Sequence, residues 1–575
     1  MRTRVFCGLV CAAALAFWPG IAAYARKKEA SEARLFSKQL PKDQKVLQAL
    51  NRLTFGPRPD DAARVRTIGL KKWIDLELHP SRISENPVLE RKLRTLDSLR
   101  LSSEELVRSY PTPQMVKQMV DGRLPFPSDP ERRRMIQKLV ARAQKKQGED
   151  AANVPEITPI KDLLTPQQIR GLRTGTPQER LAAFEALPPE RQDEIIAALP
   201  AGIRQALFVA APPDLRRKIE LTAGPQQVLV RDLEEGKLLR AVYSNRQLEE
   251  VLTDFWYNHF NVYLDKGADR YLVTAYERDV IRPHVLGRFR DLLEATAKSP
   301  AMLFYLDNWQ SVSPNFPAPR AQANRPRRGL NENYGRELME LHTLGVDGGY
   351  TQKDVTEVAR CFTGWTIRQP QQGGDFFFNR RMHDDGEKTV LGVRIPAGGG
   401  IEDGEKVLDI LARNPATAHF LSKELAQRFV ADNPPESLVT RMAQTYMKTD
   451  GDLRAVMKTM FDSKEFWSEG AYRSKIKSPL ELVASAVRAV NGDVDFAFPL
   501  ANQVAQLGEP LYRKVEPTGY SNSSREWLNT AGLLARMNFA LQLANDKMQG
   551  VKVGTAAQPP AELAASLGSP EFQKH

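Results

Sequence analysis

This sequence has few cysteines and, after its first residues, no long apolar run. Of its three cysteines, Cys7 and Cys11 lie within the uncharged run of residues 5–25, and Cys361 stands alone in the rest of the chain. A single thiol excludes an internal disulfide after that run is removed. No later run approaches the ~20 apolar residues of a membrane span. The fold must therefore rest on a hydrophobic core, which a chain of 575 residues can readily bury.

The first residues have the pattern of a cleavable secretory signal. Arg2 and Arg4 precede the apolar run, and residues 23–25, Ala-Tyr-Ala, form a small-x-small motif typical of a signal-peptidase cleavage site. This pattern predicts a Sec-type signal peptide over 1–25, cleaved before Arg26. The mature protein is then expected in the periplasm or secreted, without a membrane span. An uncleaved anchor is the alternative, because the run is almost long enough to cross a bilayer.

The chain is basic but carries no concentrated basic tract. Its formal net charge is +12 and its pI about 9.4, and the lysines and arginines are spread along the whole length. Nucleic-acid binding is not expected, since it requires a basic face supported by a motif or by aromatic residues. In an exported protein, such a charge favours attraction to an anionic envelope polymer, or it serves only to solvate the surface.

Apolar spacing predicts a mostly α fold, with a multi-helical body, one small β-hairpin and an inserted run of short helices. Residues 42–53 have helical spacing, and a wide apolar stripe marks another helix at Leu248, Val251, Leu252, Phe255, Trp256 and Phe260. We assign 26–42 to a linker and 43–111 with 225–545 to the helical body. The tail 546–575 is predicted to be disordered.

Residues 112–224 differ in composition and form the predicted insertion. Prolines recur at intervals of 11 to 13 residues from Pro166 to Pro225, and each begins a short apolar segment. Two of these segments begin with a capping box, at Thr165 and Thr176. Helices this short cannot stand alone, so we expect them to pack on one another or on the body. The insertion is either a docking arm or a spacer.

Apolar residues alternate at period two on both sides of residues 385–386, Asp-Gly. The alternating positions are Phe376, Phe378, Thr389, Leu391, Val393 and Ile395. This pattern predicts one hairpin that turns at residues 385–386.

Familiar catalytic signatures are missing from this chain. It has no Gly-x-Ser-x-Gly elbow, phosphate-binding glycine loop, zinc cysteine pair or His-Glu-x-x-His motif. Candidate residues therefore come from histidines and acids that lie close in sequence. The candidate catalytic residues are Glu337, Glu340, His342, His383 and Asp384, and the candidate metal ligands are His259, His383 and Glu337. The alternative is that each of these residues serves only the packing of the fold.

We predict that a functional centre lies where residues 331–351 meet the hairpin loop 383–385. Glu337 and Glu340 share one face of a helix, and the Gly-rich turn at residues 347–349 allows close approach of the backbone to a ligand. His383 and Asp384 would lie on a loop held by strands. The alternative is structural: the two glutamates would pair with nearby arginines, and the loop residues would cap the turn.

Several of these segments resemble a known family. The most specific are GLNENYGRELMELHTLGVDGGYTQKDVTEVARCFTGW from Gly329 and MHDDGEKTVLG from Met382; the others are LNRLTFG, DFWYNHFNV, FYLDN, NPATAHFLSKELAQRFV, TDGDL, KSPLEL and the region 519–527. They resemble the bacterial family catalogued as domain of unknown function 1800, over most of 43–545 apart from the insertion. The resemblance implies export, a helical body and a neighbouring partner of an alkaline-phosphatase or sulfatase-like family. It brings no catalytic residues.

Two functions fit these observations. The first is an exported accessory protein that binds a sulfatase-like partner or an envelope polymer. The alternative is an extracytoplasmic hydrolase or metalloenzyme that uses a cluster of His, Asp and Glu. The sequence does not decide whether the protein is an enzyme, and it assigns no cofactor.

Overall fold

A computed structural model describes residues 34–130, 132–137, 140, 159–316, 329–527, 530–554 and 558–575. The predicted signal peptide 1–25 and the first part of the linker 26–42 lie outside the described residues. The fold is mostly α, as predicted, with a few short strands. None of the described helices is both long and apolar enough to cross a bilayer.

The helices with described bounds before the insertion are Lys42–Leu53, Asp61–Ile68, Leu70–Glu77, Pro87–Arg94 and Ser103–Ser109. The first two are joined by a tight turn at Gly56, whose φ is +97°. A Cβ at Gly56 would lie 2.6 Å from the Cβ of Ser485. Only glycine therefore allows the turn to pack against the helix Pro479–Ala489.

The insertion forms the predicted series of short helices: Pro113–Val120, Ile160–Leu163, Pro166–Arg173, Pro177–Glu185, Gln192–Ala198, Ala201–Ala210 and Pro213–Ala223. Thr165 and Thr176 begin helices through capping boxes, as predicted. The later helices bury a hydrophobic cluster of their own, which Phe496 of the body completes. The short helices thus pack both on one another and on the body. The division of the chain into domains stays a prediction.

The helices of the body surround one large hydrophobic core. They are Pro225–Tyr243, Gln247–His259, Asp269–Ala275, a π-helical turn Tyr276–Ile281, Phe289–Ala297, Pro300–Tyr305, Glu332–Glu340, Gln352–Cys361, Ile401–Ala412, Pro415–Phe429, Glu436–Lys448, Leu453–Phe461, Pro479–Ala489, Phe498–Gln506, Ser524–Trp527 and Thr530–Ala544. The predicted apolar stripe of the helix Gln247–His259 is fully buried in this core. Cys361 is a buried free thiol in the same core.

The single hairpin predicted from alternation is wrong. Among the described residues, β1 (Trp365–Ile367) pairs with β2 (Phe376–Phe378), β3 (Lys388–Val390) with β4 (Val393–Ile395), and β5 (Asp493–Val494) with β6 (Val551–Lys552), all antiparallel. The β3–β4 hairpin turns at Leu391 and Gly392, whose φ angles of 47° and 78° suit a two-residue turn. Alternation predicted strands but could not specify their partners, because its period is the same for every pairing.

The prediction of a disordered tail is also wrong for the residues that the structure describes. Helices form at Pro560–Gly568 and Pro570–Gln573, and Leu563 and Leu567 pack in the main core. Backbone hydrogen bonds then join His575 to Lys475 in both directions. Local sequence signals do not predict this helix, because a short Ala-rich helix is stable only when tertiary contacts support it.

Candidate functional site

The glutamates of the predicted site lie on the helix Glu332–Glu340 and are only partly buried. Burial, with the neighbouring Glu340 charge, raises the pKa of Glu337. Glu340 accepts a hydrogen bond of 3.0 Å from the Tyr350 hydroxyl. Arg336 donates to Gln352 rather than to either glutamate. Among the described residues, the alternative pairing of these glutamates with nearby arginines is therefore not observed.

His383 lies in a closed polar cluster. Its Nδ1 is 2.8 Å from the carbonyl oxygen of Thr363, and its Nε2 is 3.2 Å from a carboxylate oxygen of Asp403. Lys388 Nζ donates to the same carboxylate at 2.7 Å. The side chains of His383, Lys388 and Asp403 are exposed by only 1%, 0% and 3%. No ring nitrogen of His383 remains for a ligand, so the residue is part of the core.

Asp384 is also held by the fold. Arg360 donates to both of its carboxylate oxygens, at 3.0 and 3.1 Å, and pairs with Glu357 as well. The guanidinium of Arg360 and the backbone N–H of Gly386 lower the pKa of Asp384, which overcomes the effect of burial. This two-point ion pair joins the helix Gln352–Cys361 to the segment that precedes β3.

The structure does bring His259 and His342 together. Their ring centroids are 6.1 Å apart. Nδ1 of His259 is 2.7 Å from the carboxylate of Glu424, and Nε2 is 3.2 Å from the backbone carbonyl of His342. The partners of the two His259 ring nitrogens are thus a carboxylate and a backbone carbonyl. Burial and the His259 charge lower the pKa of His342 to about 3, so that ring is neutral.

The predicted metal ligands do not form a ligand set. His259 bonds to Glu424 and the His342 carbonyl, whereas His383 bonds to Thr363 and Asp403. Within the described ranges, no three His, Cys, Asp or Glu side chains are grouped so that they could hold a metal ion.

A polar cleft of about 480 Å³ opens beside the His259–Glu424 pair. Its walls come from the helix Gln247–His259, the helix Pro415–Phe429 and the loop at residues 518–523. Asn258 fixes this loop, because its side chain both donates to the Tyr520 carbonyl and accepts from the Tyr520 N–H, each at 2.6 Å. Gly519, with φ +66°, allows the close approach, since a Cβ there would lie 2.2 Å from the Asn258 carbonyl oxygen.

A smaller chamber of about 60 Å³ shares part of its lining with this cleft, namely Phe255, Asn258, Tyr520, Ser521 and Asn522. It is lined by the carboxyl groups of Asp254, Glu481 and Glu509. Lys237 Nζ lies 3.0 Å from Asp254 and 3.4 Å from Glu277. The fold thus holds Asp254 beside a cation.

Glu509 differs from Asp254 in the same chamber. It has no ion-pair partner in the described structure; a carboxylate oxygen accepts the Leu480 N–H at 2.8 Å, and the Ser478 side chain also forms a hydrogen bond with this carboxyl group. Burial and, secondly, the Asp254 charge raise the pKa of Glu509 to about 8. A protonated carboxyl and an ion-paired carboxylate therefore line one chamber, and enzymes use such divergent pairs for acid–base chemistry.

The third carboxyl, Glu481, serves the architecture. It completes the capping box of the helix Pro479–Ala489 and pairs with Arg428 at 2.5 Å. The charges of Arg428 and His575, with the hydrogen bond from the Ser478 N–H, lower the pKa of Glu481 to about 2 despite its burial. Glu481 is therefore a permanent anion that holds the walls of the chamber together.

Sequence reasoning missed the cleft and its chamber, apart from His259. Its residues are too far apart in sequence to produce a spacing signal: the acid pair alone joins positions 254 and 509. One signal was present, since three segments that carry the family resemblance, DFWYNHFNV, KSPLEL and 519–527, all contribute residues to the chamber.

Comparison with known proteins agrees with the resemblance. The family model described as "Protein of unknown function (DUF1800)" matches residues 48–574. No curated protein and no solved structure matches the chain. The matched range covers the helical body, the insertion and the C-terminal helices. The chain therefore belongs to the DUF1800 family of proteins of unknown function.

Proposed function

We propose that the protein is an exported hydrolase that binds an envelope polymer in the polar cleft and cleaves it where the cleft meets the adjoining chamber. The observation that carries this proposal is the pair of unlike carboxyl groups in the chamber. Glu509 is buried without a cation and keeps its proton, whereas Asp254 is ion-paired with Lys237. General acid–base catalysis needs one group in each of these states.

The reaction would add water across one bond of the polymer. Asp254 accepts a proton from water as the water oxygen bonds to the electrophilic carbon, and Glu509 donates its proton to the leaving oxygen as the carbon–oxygen bond breaks. Transfer of the proton from Asp254 back to Glu509 through solvent restores the starting state. No metal ion is required in this scheme.

The charge of the cleft favours a neutral or amine-bearing substrate. Glu424 and Glu526 line the wide part of the cleft, opposed by Lys514, while Asp432 is neutralised by Lys475 at 2.5 Å. An acidic lining repels polyanions. Amide and hydroxyl groups complete the lining, from Gln427, Asn522, Ser521, Ser523 and Tyr520. Such groups exchange hydrogen bonds with the hydroxyl groups of a saccharide.

The test is hydrolysis of isolated neutral and amino-sugar envelope polymers, measured as newly released reducing ends. We expect Glu509→Gln and Asp254→Asn each to lower the rate by about 10²–10⁴-fold. Glu469→Gln is the control, because Glu469 is an exposed carboxyl paired with Lys38. Absence of cleavage by the wild-type protein, or an equal loss in all three variants, would contradict the proposal.

A second candidate, an exported accessory protein, is favoured by one surface. The helix Thr530–Ala544 exposes four large apolar side chains, Leu533, Leu534, Met537 and Leu541, each exposed by 50% or more. An apolar patch of this kind is typical of a protein-binding surface. The family resemblance suggests a sulfatase-like partner.

Capture of native envelope proteins distinguishes the two candidates. In the accessory case, Leu534→Asp with Met537→Asp abolishes capture of a sulfatase-like protein, and the Glu509→Gln variant captures it normally. In the hydrolase case, the double variant still cleaves polymer.

N-terminal sequencing of the exported protein checks the predicted start near Arg26, and an intact Met1 on the exported protein would exclude removal of the signal peptide.

A further inference from the structure

A second cleft, of about 330 Å³, lies among the helices Lys42–Leu53, Asp61–Ile68 and Leu70–Glu77 and the turn at residues 82–84. It shares no lining residue with the polar cleft or with its chamber. Four guanidinium groups line it, from Arg58, Arg64, Arg82 and Arg488. Its carboxyl groups are those of Asp61 and Glu77.

Two of the guanidinium groups form a fixed inner wall. Arg488 donates to the carbonyl oxygens of Gly56 and Val242, at 2.5 and 2.8 Å, and its side chain is exposed by only 3%. Arg58 donates to the same Val242 carbonyl. The side chain of Asp61 accepts from Arg488 at 3.2 Å and from the backbone N–H of Arg58 at 2.8 Å. The two guanidinium groups thus share one backbone carbonyl, that of Val242, and Asp61 holds the Arg488 side chain and the Arg58 backbone in place.

The other two guanidinium groups lie at the rim and are free to turn inward. Arg82 has only a long contact, 3.5 Å, with the exposed Asp75. The Arg64 side chain makes no hydrogen bond or ion pair in the part of the chain that the structure describes. Both arginines are exposed. The cleft therefore has unused donors at its entrance and fixed cations at its base.

Glu77 does little to offset this positive charge. Its side chain is buried, and one carboxylate oxygen accepts from the Leu248 N–H at 2.9 Å. Burial raises the pKa of Glu77 to about 8, so the group is mostly neutral at pH 7. Four guanidinium groups then face one ionised carboxylate, that of Asp61, and the lining carries an excess of three positive charges. A partly buried excess of this size creates a strong attraction for anions.

We propose that this cleft binds a phosphate or sulfate monoester group carried by a larger molecule. The fork of an arginine matches the oxygens of phosphate and sulfate. Arg64 and Arg82 can offer such forks to a ligand, while Arg58 and Arg488 add fixed positive charge to the lining. A volume of 330 Å³ is that of a small-ligand site, larger than a bare tetrahedral ion requires. The rest of the lining includes apolar side chains, Trp73, Ile68 and Leu76, which suit the body of an esterified sugar.

The probes are inorganic phosphate, inorganic sulfate and glucose 6-phosphate, each titrated calorimetrically into the full-length mature protein at low salt. We expect saturable binding of all three, with the hexose phosphate at least as tight as the free ions. Arg64→Ala with Arg82→Ala should weaken binding at least tenfold without changing the thermal midpoint. The relative affinities for sulfate and phosphate indicate which ester is preferred.

Arg66→Ala is the matched control, because Arg66 is exposed on the same helix as Arg64 but does not line the cleft. It should leave all three affinities unchanged. The proposal is overturned if no probe saturates, if the hexose phosphate binds more weakly than the free ions, or if Arg66→Ala weakens binding as much as the rim double variant. Because the readout is binding at a cleft separate from Glu509, it is independent of any hydrolytic activity.

Discussion

Two neighbourhoods of this protein combine histidines with carboxyl groups, and they differ in what their polar atoms do. Around His383, the imidazole, the Asp403 carboxylate and the Lys388 ammonium are exposed by 3% or less and bond to one another. In the polar cleft and its adjoining chamber, Glu424 and Asp254 are exposed by 25% and 23%, respectively. The first neighbourhood uses its hydrogen-bonding capacity internally, whereas the second keeps some for a ligand. The number of ionisable residues in a segment does not distinguish the two neighbourhoods. They differ in how many hydrogen-bond donors and acceptors remain unused.

We expect the largest effect from a substitution that disrupts the closed neighbourhood around His383. Asp403→Asn removes the counter-charge of Lys388, whose side chain is fully buried. We expect a loss of about 3–5 kcal/mol in the free energy of unfolding, measured by urea denaturation. Glu387→Gln is the control, because Glu387 pairs with Arg394 at an exposed position, and it should leave stability unchanged. A loss of activity without loss of stability in Asp403→Asn would place the functional site at His383 after all.

A comparable closed network joins the insertion to the body. Arg217 donates to both carboxylate oxygens of Asp232, at 2.7 and 2.8 Å, and Asp232 is exposed by only 2%. Arg217→Met should cost about 3 kcal/mol in urea denaturation, because a buried carboxylate loses its cation. Adding Asp232→Asn should restore part of that loss. If Arg217→Met is as stable as wild type, the insertion is not coupled to the body through this pair.

The open neighbourhood should respond more weakly in stability. Glu424→Gln removes the carboxylate that accepts from His259, at a cost of about 1–2 kcal/mol. Glu436→Gln is matched to it, since the exposed His419–Glu436 pair has the same 2.7 Å separation. It should show no change in thermal unfolding. Equal effects in the two variants would mean that the His259 pair is no more than a surface ion pair.

The smallest effect is a change in pH dependence. The folded-state pKa of Glu509, about 8, lies above its ordinary value of 4.5. Its contribution to stability is therefore complete below pH 4.5 and is lost as the pH rises through 8. Glu509→Gln should flatten the fall of the unfolding free energy over that range by up to about 1.4 kcal/mol per pH unit. Glu77 and Glu235, also with a raised pKa of about 8, act in the same direction in both proteins.

Urea denaturation at pH 5, 6, 7 and 8 checks this prediction. The difference between the wild-type and variant curves isolates Glu509, because all other groups are common to both. Parallel curves would show that Glu509 is ionised in the folded protein. Glu509 could then not serve as the proposed general acid.

The fold was largely predictable because its signals are local. Helical spacing, proline at the first turn and the capping boxes at Thr165 and Thr176 act within a few residues of one another. The predicted hairpin pairing failed because alternation identifies a strand but not its partner. The partner of β2 is β1, nine residues upstream of it, rather than β3. The prediction of a disordered tail failed because the helix there is held by tertiary contacts at Leu563 and Leu567 and not by local propensity.

By itself, the sequence determined a mostly helical protein of the DUF1800 family with a series of short inserted helices. Periodicity and capping carry that information, because both depend on neighbours within one helical turn. The tertiary structure alone decided which ionisable groups are satisfied and which are left for a ligand. Glu509 retains its proton because folding buries it beside Asp254, 255 positions earlier in the chain, and without a cation. Desolvation and charge pairing depend on distance in space, which spacing along the chain does not record.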